Sequence, residues 1–270
     1  MPPESRTPPH ESPDVELSVV VPCFNEEGNL DELVARSRHV FVTHRIRGEL
    51  VLVDDGSRDG TGPAIDALAD QHPGEIVAVH HRTNRGIPAG WRSGLERARG
   101  RWVCTIDADL QYRPEDIAVL HAAARRGEAD LVQGRRRPVE GGHRYVLSRG
   151  LDLLLRAAFA MSEHDVKSGF VVYRREAFAD ILGEAARFHH FQHMITVVAK
   201  AKGYTLRQLE VPFEPRHAGS SFIGRLPLRM LAYTLIDVAR ALLAYRLRPA
   251  PGRRHPAPRP ANDPDAPGGP

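Results

Sequence analysis

Five apolar runs, each followed by a stretch of helical character, constrain the fold of this chain more than any other sequence feature. The runs cover residues 17–25, 49–57, 75–82, 101–109 and 129–136. Their apolar residues follow one another without polar alternation, as in strands that are buried on both faces of a parallel sheet. Helices are predicted over 28–40, 61–71 and 87–99 and from Pro114 onward. This alternation predicts an α/β fold with a mostly parallel central sheet flanked by helices.

The strand–helix pattern loosens after about residue 140, and the two ends of the chain differ in composition. We predict a helix over 144–160, a strand in "GFVVYRRE" (169–176), a helix near 190–202 and an extended segment over 204–213. Residues 1–14 and 248–270 are rich in proline, and we expect them to be disordered because they cannot bury enough apolar area. One folded domain is therefore predicted over 15–225, followed by a separate amphipathic helix over 226–247.

The composition is typical of a globular protein, with 41% hydrophobic and 26% charged residues. The two cysteines, Cys23 and Cys104, lie within apolar runs, so we predict buried thiols in a reducing compartment. A net charge of +3 is too small to indicate a nucleic-acid partner. The first residues lack the basic and apolar regions of a secretory signal, so we expect a cytoplasmic protein that is not secreted.

Acidic residues follow three of the predicted strands, at the edge where open α/β sheets bind ligands. The clusters are Asn25-Glu26-Glu27, Asp54-Asp55 and Asp107-Ala108-Asp109. Carboxylates gathered in one crevice repel each other, and a divalent cation relieves that repulsion. Oxygen ligands suit hard ions such as Mg²⁺ or Mn²⁺, which also bind substrate phosphates. We therefore predict that Asp107 and Asp109, with the Gln111 carbonyl, hold a metal ion that neutralises a diphosphate leaving group.

Two alternatives are open for these acidic clusters. A carboxylate after a strand can instead cap the backbone N–H groups of the next helix, and Asp54, Asp55 and Asp59 have that position. A nucleotidyltransferase also uses carboxylates and a metal, although "PCFNEEGN" is acidic where such an enzyme has a basic, glycine-rich loop. The absence of "GxxxxGK[ST]", and of "GxGxxG" after the first strand, argues against a P-loop ATPase and a dinucleotide-binding dehydrogenase.

Four segments, found in this order, carry a resemblance to a known family. They are "VVVPCFNEEGNL", "VLVDDGSRDGT", "NRGIPAGWRSGLERARG" and "WVCTIDADLQYRPEDI". These segments resemble the family-2 glycosyltransferases of the GT-A fold. The "DADLQ" form, followed by a proline and an acidic residue, resembles the dolichol-phosphate mannosyltransferase and bacterial polyprenyl-phosphate glycosyltransferase branch. The resemblance covers about residues 17–225 and implies a donor half (15–135) and an acceptor half (136–225).

The resemblance implies roles for residues in both halves. In the donor half, it implies substrate contacts by Pro22, Asn25, Glu27, Asp54, Asp55, Asn84, Arg85 and Gly86. It implies that Asp107 and Asp109 are catalytic and that, with Gln111, they bind the metal and the diphosphate. On the acceptor side, it implies phosphate contacts by Arg135, Arg144, Ser148, Arg149, Arg216 and Ser221, of which Arg216 acts as a catalytic cation. Phe222 stands where the family's late motif usually ends in lysine.

The activity implied by the resemblance is an inverting hexose transfer with Mg²⁺ or Mn²⁺ as cofactor. The donor is GDP-mannose or a UDP-hexose, and the acceptor is a polyprenyl (dolichyl-type) phosphate at the membrane surface. A lipid phosphate is an anion at neutral pH and needs no general base, whereas a hydroxyl acceptor needs one, for which Asp165 is the candidate. Two alternatives stay open: transfer to a hydroxyl of a glycan or secondary metabolite, and a non-catalytic sugar-nucleotide-binding protein.

The segment 226–246 is the most apolar of the chain, but we do not predict that it spans a membrane. Asp237 and Arg240 near its middle would each cost about 2.5–3.5 kcal/mol on insertion. Helical spacing gives an apolar stripe of Leu231, Leu235, Val238 and Leu242. The stripe indicates either a helix packed on the domain or a helix in the membrane interface, and the second would make the protein peripheral on the cytoplasmic face of the membrane.

Overall fold

The computed structural model describes residues 15–136, 153, 155–159, 161, 163, 168–215 and 228–246. Its first half alternates strands and helices: β1 (Leu17–Cys23), α1 (Glu27–Thr43), β2 (Gly48–Asp54), α2 (Thr61–Gln71), β3 (Ile76–His80), α3 (Ile87–Arg97), β4 (Trp102–Thr105), α4 (Asp116–Arg125) and β5 (Leu131–Arg136). Its second half contains β6 (Val171–Arg174), α5 (Arg175–Leu182), α6 (Ile195–Ala201), β7 (Leu206–Val211) and α7 (Leu228–Ala241). The segments predicted to be disordered, 1–14 and 248–270, lie outside the described residues.

The seven described strands form one sheet in the order β3-β2-β1-β4-β6-β5-β7. Neighbouring strands run parallel except at β6, which is antiparallel to both β4 and β5. The predicted α/β fold with a mostly parallel sheet is therefore confirmed. Cys23 at the end of β1 pairs with Asp54 at the end of β2, so the polar residues that follow these strands start from neighbouring positions.

Both faces of the sheet are covered, which explains why the apolar runs do not alternate. On β1, Val19 and Val21 pack into one core cluster with residues of α1 and α4, while Val20 packs into a second cluster with Trp91 of α3. Burial on each face stabilises the fold by about 25 cal/mol per Å² of apolar surface. Cys23 and Cys104 are unpaired and buried, as predicted, and burial raises the pKa of both thiols.

The second half differs from the prediction at two points. The strand expected over 169–176 ends at Arg174, and α5 begins at the next residue. Its buried residues Ala177, Phe178, Ile181 and Leu182 have helical spacing, so their burial favours a helix there. The helix expected near 190–202 is split into a 3₁₀ turn (Phe191–His193) and α6. Of the helix predicted over 144–160, the structure describes the helical residues 155–159.

Helix α7, which continues into a π-helical turn (Leu242–Arg246), packs against the domain with a partly polar face. Thr234, Asp237, Val238 and Ala241 are buried. The predicted apolar stripe is therefore not one face, because Val238 is buried whereas Leu235 is 48% exposed. No helix within the described residues is long and apolar enough to cross a membrane.

Candidate active site

The loops after β1 and β2 are joined by hydrogen bonds at the carboxyl edge of the sheet. Asn25 has φ 57°, a left-handed conformation that asparagine tolerates better than most residues. Its N–H donates to Ser57 Oγ (3.0 Å), and its Oδ1 accepts from the Arg58 N–H (2.9 Å). Glu27 Oε2 accepts from the Gly60 N–H (3.0 Å). These contacts hold the predicted nucleotide-binding residues Asn25 and Glu27 against the β2 loop.

Pro22 and Asp54 lie at the ends of β1 and β2, next to these loops. A Cβ at Gly90 would lie 3.0 Å from Pro22 Cβ, so the glycine allows α3 to approach β1 closely. Asp54 Oδ1 accepts from the Ser57 N–H (2.8 Å), and its Oδ2 lies 3.4 Å from His80 Nδ1. Asp54 therefore bonds to the backbone of its own turn and not to the first residues of α2, where Asp59 accepts from the Thr61 N–H (3.0 Å). The contact of Asp54 with a nucleotide stays a prediction.

The buried carboxylate of Asp55 holds the segment that follows β3. Its Oδ1 accepts from the Arg85 N–H (2.8 Å), and its Oδ2 accepts from the Gly86 N–H (2.7 Å). Gly86 has φ 83°, which a residue with a side chain rarely adopts, and α3 begins at the next residue. The structure thus places Asp55 against the turn of Asn84, Arg85 and Gly86, the predicted donor segment.

The residues after β4 form the predicted metal loop. Asp107 is half-buried and Asp109 is buried. Leu110 has φ 59°, and Asp109 Oδ1 accepts from the Gln111 N–H (3.1 Å), so the chain reverses direction at this point. Gln111 bonds to Glu214 through its backbone carbonyl (2.8 Å) and its side-chain amide (3.3 Å). The loop is therefore attached to the segment after β7.

The chemistry of this loop fits a hard divalent cation that is shared with a substrate. Among the described residues, no group of three or more His, Cys, Asp or Glu side chains could hold a metal alone. Mg²⁺ in phosphate-binding sites is typically held by one or two protein carboxylates, with substrate phosphates and water as the other ligands. Asp107 and Asp109 provide that pair. The other acidic clusters bond to backbone N–H groups, so they do not converge on a protein-only metal site.

A buried polar network lies beneath the metal loop and connects it to the segment before β6. The Tyr112 hydroxyl donates to Ser168 Oγ (2.8 Å), which donates to the Gly134 carbonyl (2.6 Å). Thr105, the last residue of β4, donates to the Gly169 carbonyl (2.6 Å). The network fixes the metal loop relative to residues 168–169 of the acceptor half, which lie just before β6.

Of the residues predicted to bind the acceptor phosphate, the structure describes Arg135. Its guanidinium donates to Glu210 Oε2 of β7 (2.7 Å), so this arginine already has a carboxylate partner. The other predicted acceptor residues lie outside the described residues: Arg144, Ser148, Arg149, Arg216 and Ser221. Asp165 and Phe222 also lie outside them. These assignments stay predictions.

Several residues that shape the site were missed by the sequence analysis. His81, Ser93, Tyr112 and Ser168 take part in hydrogen bonds between segments 12 to 56 residues apart, and sequence spacing does not reveal such partners. Asp237 had a signal, since a carboxylate within an apolar helix is costly unless it has partners. Its oxygens accept from the backbone N–H groups of His189 (3.0 Å) and His190 (2.7 Å).

Comparison with known proteins places this geometry in a family. The family described as Glycosyl transferase family 2 matches residues 18–182, more than half of the chain. An undecaprenyl-phosphate 4-deoxy-4-formamido-L-arabinose transferase from Shewanella sediminis is 29% identical over 220 residues, which cover 82% of this chain and 65% of that protein. A dodecaprenyl-phosphate galacturonate synthase from Rhizobium johnstonii is 34% identical over 178 residues, which cover 64% of this chain and 53% of that protein. The chain spans less than two thirds of the length of these two relatives.

Solved structures show the same fold. Glucosyl-3-phosphoglycerate synthase from Mycobacterium tuberculosis, in complex with Mn²⁺, UDP and glucosyl-3-phosphoglycerate, matches with a TM-score of 0.61 at 22% identity, over 88% of this chain and 82% of that chain. A mannosyltransferase from Pyrobaculum calidifontis, in complex with GDP-Man and Mn²⁺, matches with a TM-score of 0.56 at 19% identity, over 86% and 75% of the two chains. With the motifs, the fold and the family match in agreement, the chain belongs to glycosyltransferase family 2 and has the GT-A fold.

Proposed function

We propose that this glycosyltransferase moves a hexose from a nucleoside-diphosphate sugar, GDP-mannose or a UDP-hexose, to a polyprenyl phosphate, with inversion at the anomeric carbon. The observation that carries the proposal is the position of Asp107 and Asp109, at the carboxyl end of a strand that pairs with β1. The β1 loop is in turn held against the β2 loop, so a nucleotide bound there lies beside both carboxylates. Family membership supports sugar transfer, and the names of the two relatives support a polyprenyl-phosphate acceptor.

On the donor side, the chain's own residues bind and orient the nucleotide. Asn25, Glu27 and Asp54 line its pocket, and the 84–86 turn lies beside the diphosphate. Asp107 and Asp109, with Gln111, would hold Mg²⁺ or Mn²⁺. When bound, the ion supplies the positive charge that neutralises the departing nucleoside diphosphate. Two carboxylates are enough for this role because the diphosphate supplies further oxygen ligands.

On the acceptor side, an oxygen of the lipid phosphate attacks C1 of the sugar. The C1–O bond to the diphosphate breaks, and the leaving group takes its electron pair. The attacking phosphate is already an anion at neutral pH, so the protein needs to position it and not to deprotonate it. The proposal assigns that positioning to Arg135 and to the arginines and serines of the acceptor half that lie outside the described residues, with Arg216 as the catalytic cation.

Helix α7 supports a peripheral position on the cytoplasmic face of the membrane, where a polyprenyl phosphate is available. Its inner face is partly polar and is bonded to the domain through Asp237. Its outer face exposes Leu235 (48%), Ile236 (41%) and Leu243 (63%), beside the exposed Arg240. Apolar side chains flanked by arginine suit the interface of an anionic membrane, where each arginine adds about 1 kcal/mol.

The proposal is tested by turnover with radiolabelled sugar nucleotides in the presence of Mn²⁺. Purified protein is incubated with each donor, with or without undecaprenyl phosphate in detergent, and both released nucleoside diphosphate and labelled lipid are measured. We expect nucleoside diphosphate and labelled lipid to form in equal amounts, and only when the lipid is present. Transfer to a glycan hydroxyl but not to the lipid would favour a hydroxyl acceptor. Binding of donors without any turnover would favour a sugar-nucleotide-binding protein.

A further inference from the structure

We infer that His81 is a positioning residue for the donor site, because it orients the carboxylate that holds the 84–86 turn, and that Ser93 has a smaller role as the second partner of the His81 ring. The inference rests on the proposed function, since that proposal assigns the turn to the nucleotide-sugar donor. His81 lies outside the four segments that carry the family resemblance, and Ser93 lies within the third of them without an implied donor contact. Their role follows from a hydrogen-bonded chain, Asp55–His81–Ser93, that connects β2, the end of β3 and α3.

The chain is short, and its Asp55–His81 half is buried. His81 Nδ1 lies 2.7 Å from Asp55 Oδ1, and His81 Nε2 lies 2.9 Å from Ser93 Oγ, which is partly buried. The side chains of His81 and Asp55 are 4% and 5% exposed. At this burial, water competes little with the Asp55–His81 bond, so that bond contributes more than it would at the surface.

The hydrogen-bond directions follow from the chemistry of the three groups. An ionised carboxylate only accepts, so His81 Nδ1 carries the proton that points at Asp55. In the neutral imidazole, Nε2 then accepts, and the Ser93 hydroxyl donates to it. Asp55 thereby selects the tautomer of His81, and the Ser93 hydroxyl, which can donate or accept, holds the ring in the orientation that faces Asp55.

The same carboxylate holds the donor turn. Asp55 Oδ1 accepts from both His81 and the Arg85 N–H, while its Oδ2 accepts from the Gly86 N–H. The turn is also confined on its other side, since a Cβ at Gly56 would lie 2.5 Å from the Thr83 carbonyl carbon. Loss of the His81 donor would free Asp55 to rotate, and both turn amides would lose their fixed acceptor.

Two substitutions at position 81 distinguish the hydrogen bonds made by the two ring nitrogens of His81. His81→Asn places an amide N–H close to the position of Nδ1, so it keeps the bond to Asp55 and loses the bond to Ser93. His81→Gln places its amide close to Nε2, so it keeps the bond to Ser93 and loses the bond to Asp55. His121→Gln is the matched control, because His121 is also buried but lies on α4 beside Glu16, which precedes the first residue of β1.

The experiment measures donor KM and kcat for the wild type and each variant, with hydrogen exchange of the 83–88 peptide as a second readout. We expect His81→Gln to raise donor KM about tenfold with a smaller change in kcat, and to speed exchange in that peptide. The donor KM of His81→Asn should stay within about threefold of the wild-type value, and the donor KM of Ser93→Ala should be similar to that of His81→Asn. His121→Gln should lower stability and leave donor KM unchanged.

Two results would overturn the inference. A donor KM for folded His81→Gln within twofold of the wild type would show that the turn does not depend on this chain. An equal rise in the Asn and Gln variants would show that residue 81 only fills space. Failure of the proposed function is a separate result, because it appears as no turnover by the wild-type protein, and it would remove the donor assignment of the turn as well.

Discussion

The donor half and the C-terminal region around α7 use buried carboxylates in different ways. In the donor half, Asp54 and Asp55 bond to loops that the sheet has already brought together at its carboxyl edge. In the C-terminal region, Asp237 joins a helix to the turn at His189 and His190, about 48 residues earlier in the chain. The first arrangement shapes a site within a rigid sheet, and the second attaches a helix to that sheet.

The two regions also bury opposite kinds of surface. Strands such as β1 bury apolar side chains on both faces, and the polar residues that form the candidate site follow the strand ends. Helix α7 buries Thr234 and Asp237 beside Val238 and Ala241 and exposes Leu235, and the π-helical turn that follows it exposes Leu243. An ordinary surface helix buries a more uniformly apolar face. The donor half thus buries its apolar residues within the fold, whereas α7 and the turn after it leave large apolar side chains exposed.

Removal of one metal-loop carboxylate should have the largest effect on activity, because it acts on the chemistry of the donor half and not on the packing of the fold. Asp109→Asn should reduce sugar transfer about 1,000-fold, because it removes half of the charge that holds the metal and the diphosphate. The fold should be unchanged, since Asn retains an oxygen that can accept from the Gln111 N–H. Turnover is the measurement, and Asp70→Asn, an exposed position near the end of α2, is the control. Near-normal turnover by Asp109→Asn would refute the metal role.

The next effect tests how firmly α7 belongs to the domain. Asp237→Ala should lower the free energy of unfolding by about 2–3 kcal/mol, because it removes the buried acceptor of the partly buried N–H groups of His189 and His190. Asp237→Asn keeps one oxygen acceptor and should cost less. Urea unfolding measures both variants. If Asp237→Ala unfolds at the wild-type urea concentration, α7 does not depend on this carboxylate.

A pH dependence tests the packing of the donor half away from its site. Burial, with a further contribution from Arg125, lowers the pKa of His121 from 6.5 to about 4. As the pH falls below 6.5, His121 becomes protonated in the unfolded chain, whereas in the folded protein it stays neutral until about pH 4. The free energy of unfolding therefore falls between these two pH values. The loss attributable to His121 should be on the order of 2–3 kcal/mol.

Urea unfolding gives the free energy of unfolding of the wild type and of His121→Gln at pH 7 and at pH 4.5. The contribution of His121 is the difference between the two proteins in how much this free energy changes between the two pH values. The carboxylates that titrate in the same range are common to both proteins and cancel in the difference. His121→Gln should be less stable than the wild type at pH 7 but lose less stability on acidification. Equal pH slopes would contradict the assignment to His121.

The smallest effect sharpens the comparison at the outer face of α7. The double substitution Leu235→Ser and Leu243→Ser should weaken binding to anionic vesicles about tenfold, because it removes exposed apolar area from one face. Stability and donor binding should not change. The control is Val42→Ser, which removes an apolar side chain that is 77% exposed on α1. Vesicle co-sedimentation is the measurement, and unchanged binding by the double variant would exclude this face as the membrane contact.

The first half of the fold was predictable from the sequence because strands that are buried on both faces consist of uninterrupted apolar residues. The apolar runs at 17–25 and 49–57 predict strands without any tertiary information, and the polar residues after them predict the binding edge. The antiparallel direction of β6 could not be predicted, since a short apolar run is compatible with either a parallel or an antiparallel strand. The start of α5 at Arg175 was missed because no glycine, proline or other turn residue separates this helix from β6.

The site was predicted in its outline but not in its internal contacts. Asp107, Asp109 and Asp55 could be placed at strand ends from the sequence alone. The partners of Asp55 are His81, 26 residues away, and the turn at 85–86, and only the folded sheet brings these residues together. On α7, helical spacing grouped Leu235 with Val238, but the turn at His189 and His190 decides which side of the helix faces the domain.

We propose that Asp107 and Asp109 bind the donor's diphosphate through a divalent cation, and this role is open to a direct binding measurement. UDP and GDP are titrated calorimetrically into the wild type and into Asp109→Asn, each with and without Mn²⁺. We expect the wild type to bind one of the two nucleotides at least about tenfold more tightly when Mn²⁺ is present, and Asp109→Asn to lose this gain. Equal affinities in the two proteins with Mn²⁺, or no effect of Mn²⁺ on the wild type, would contradict this role.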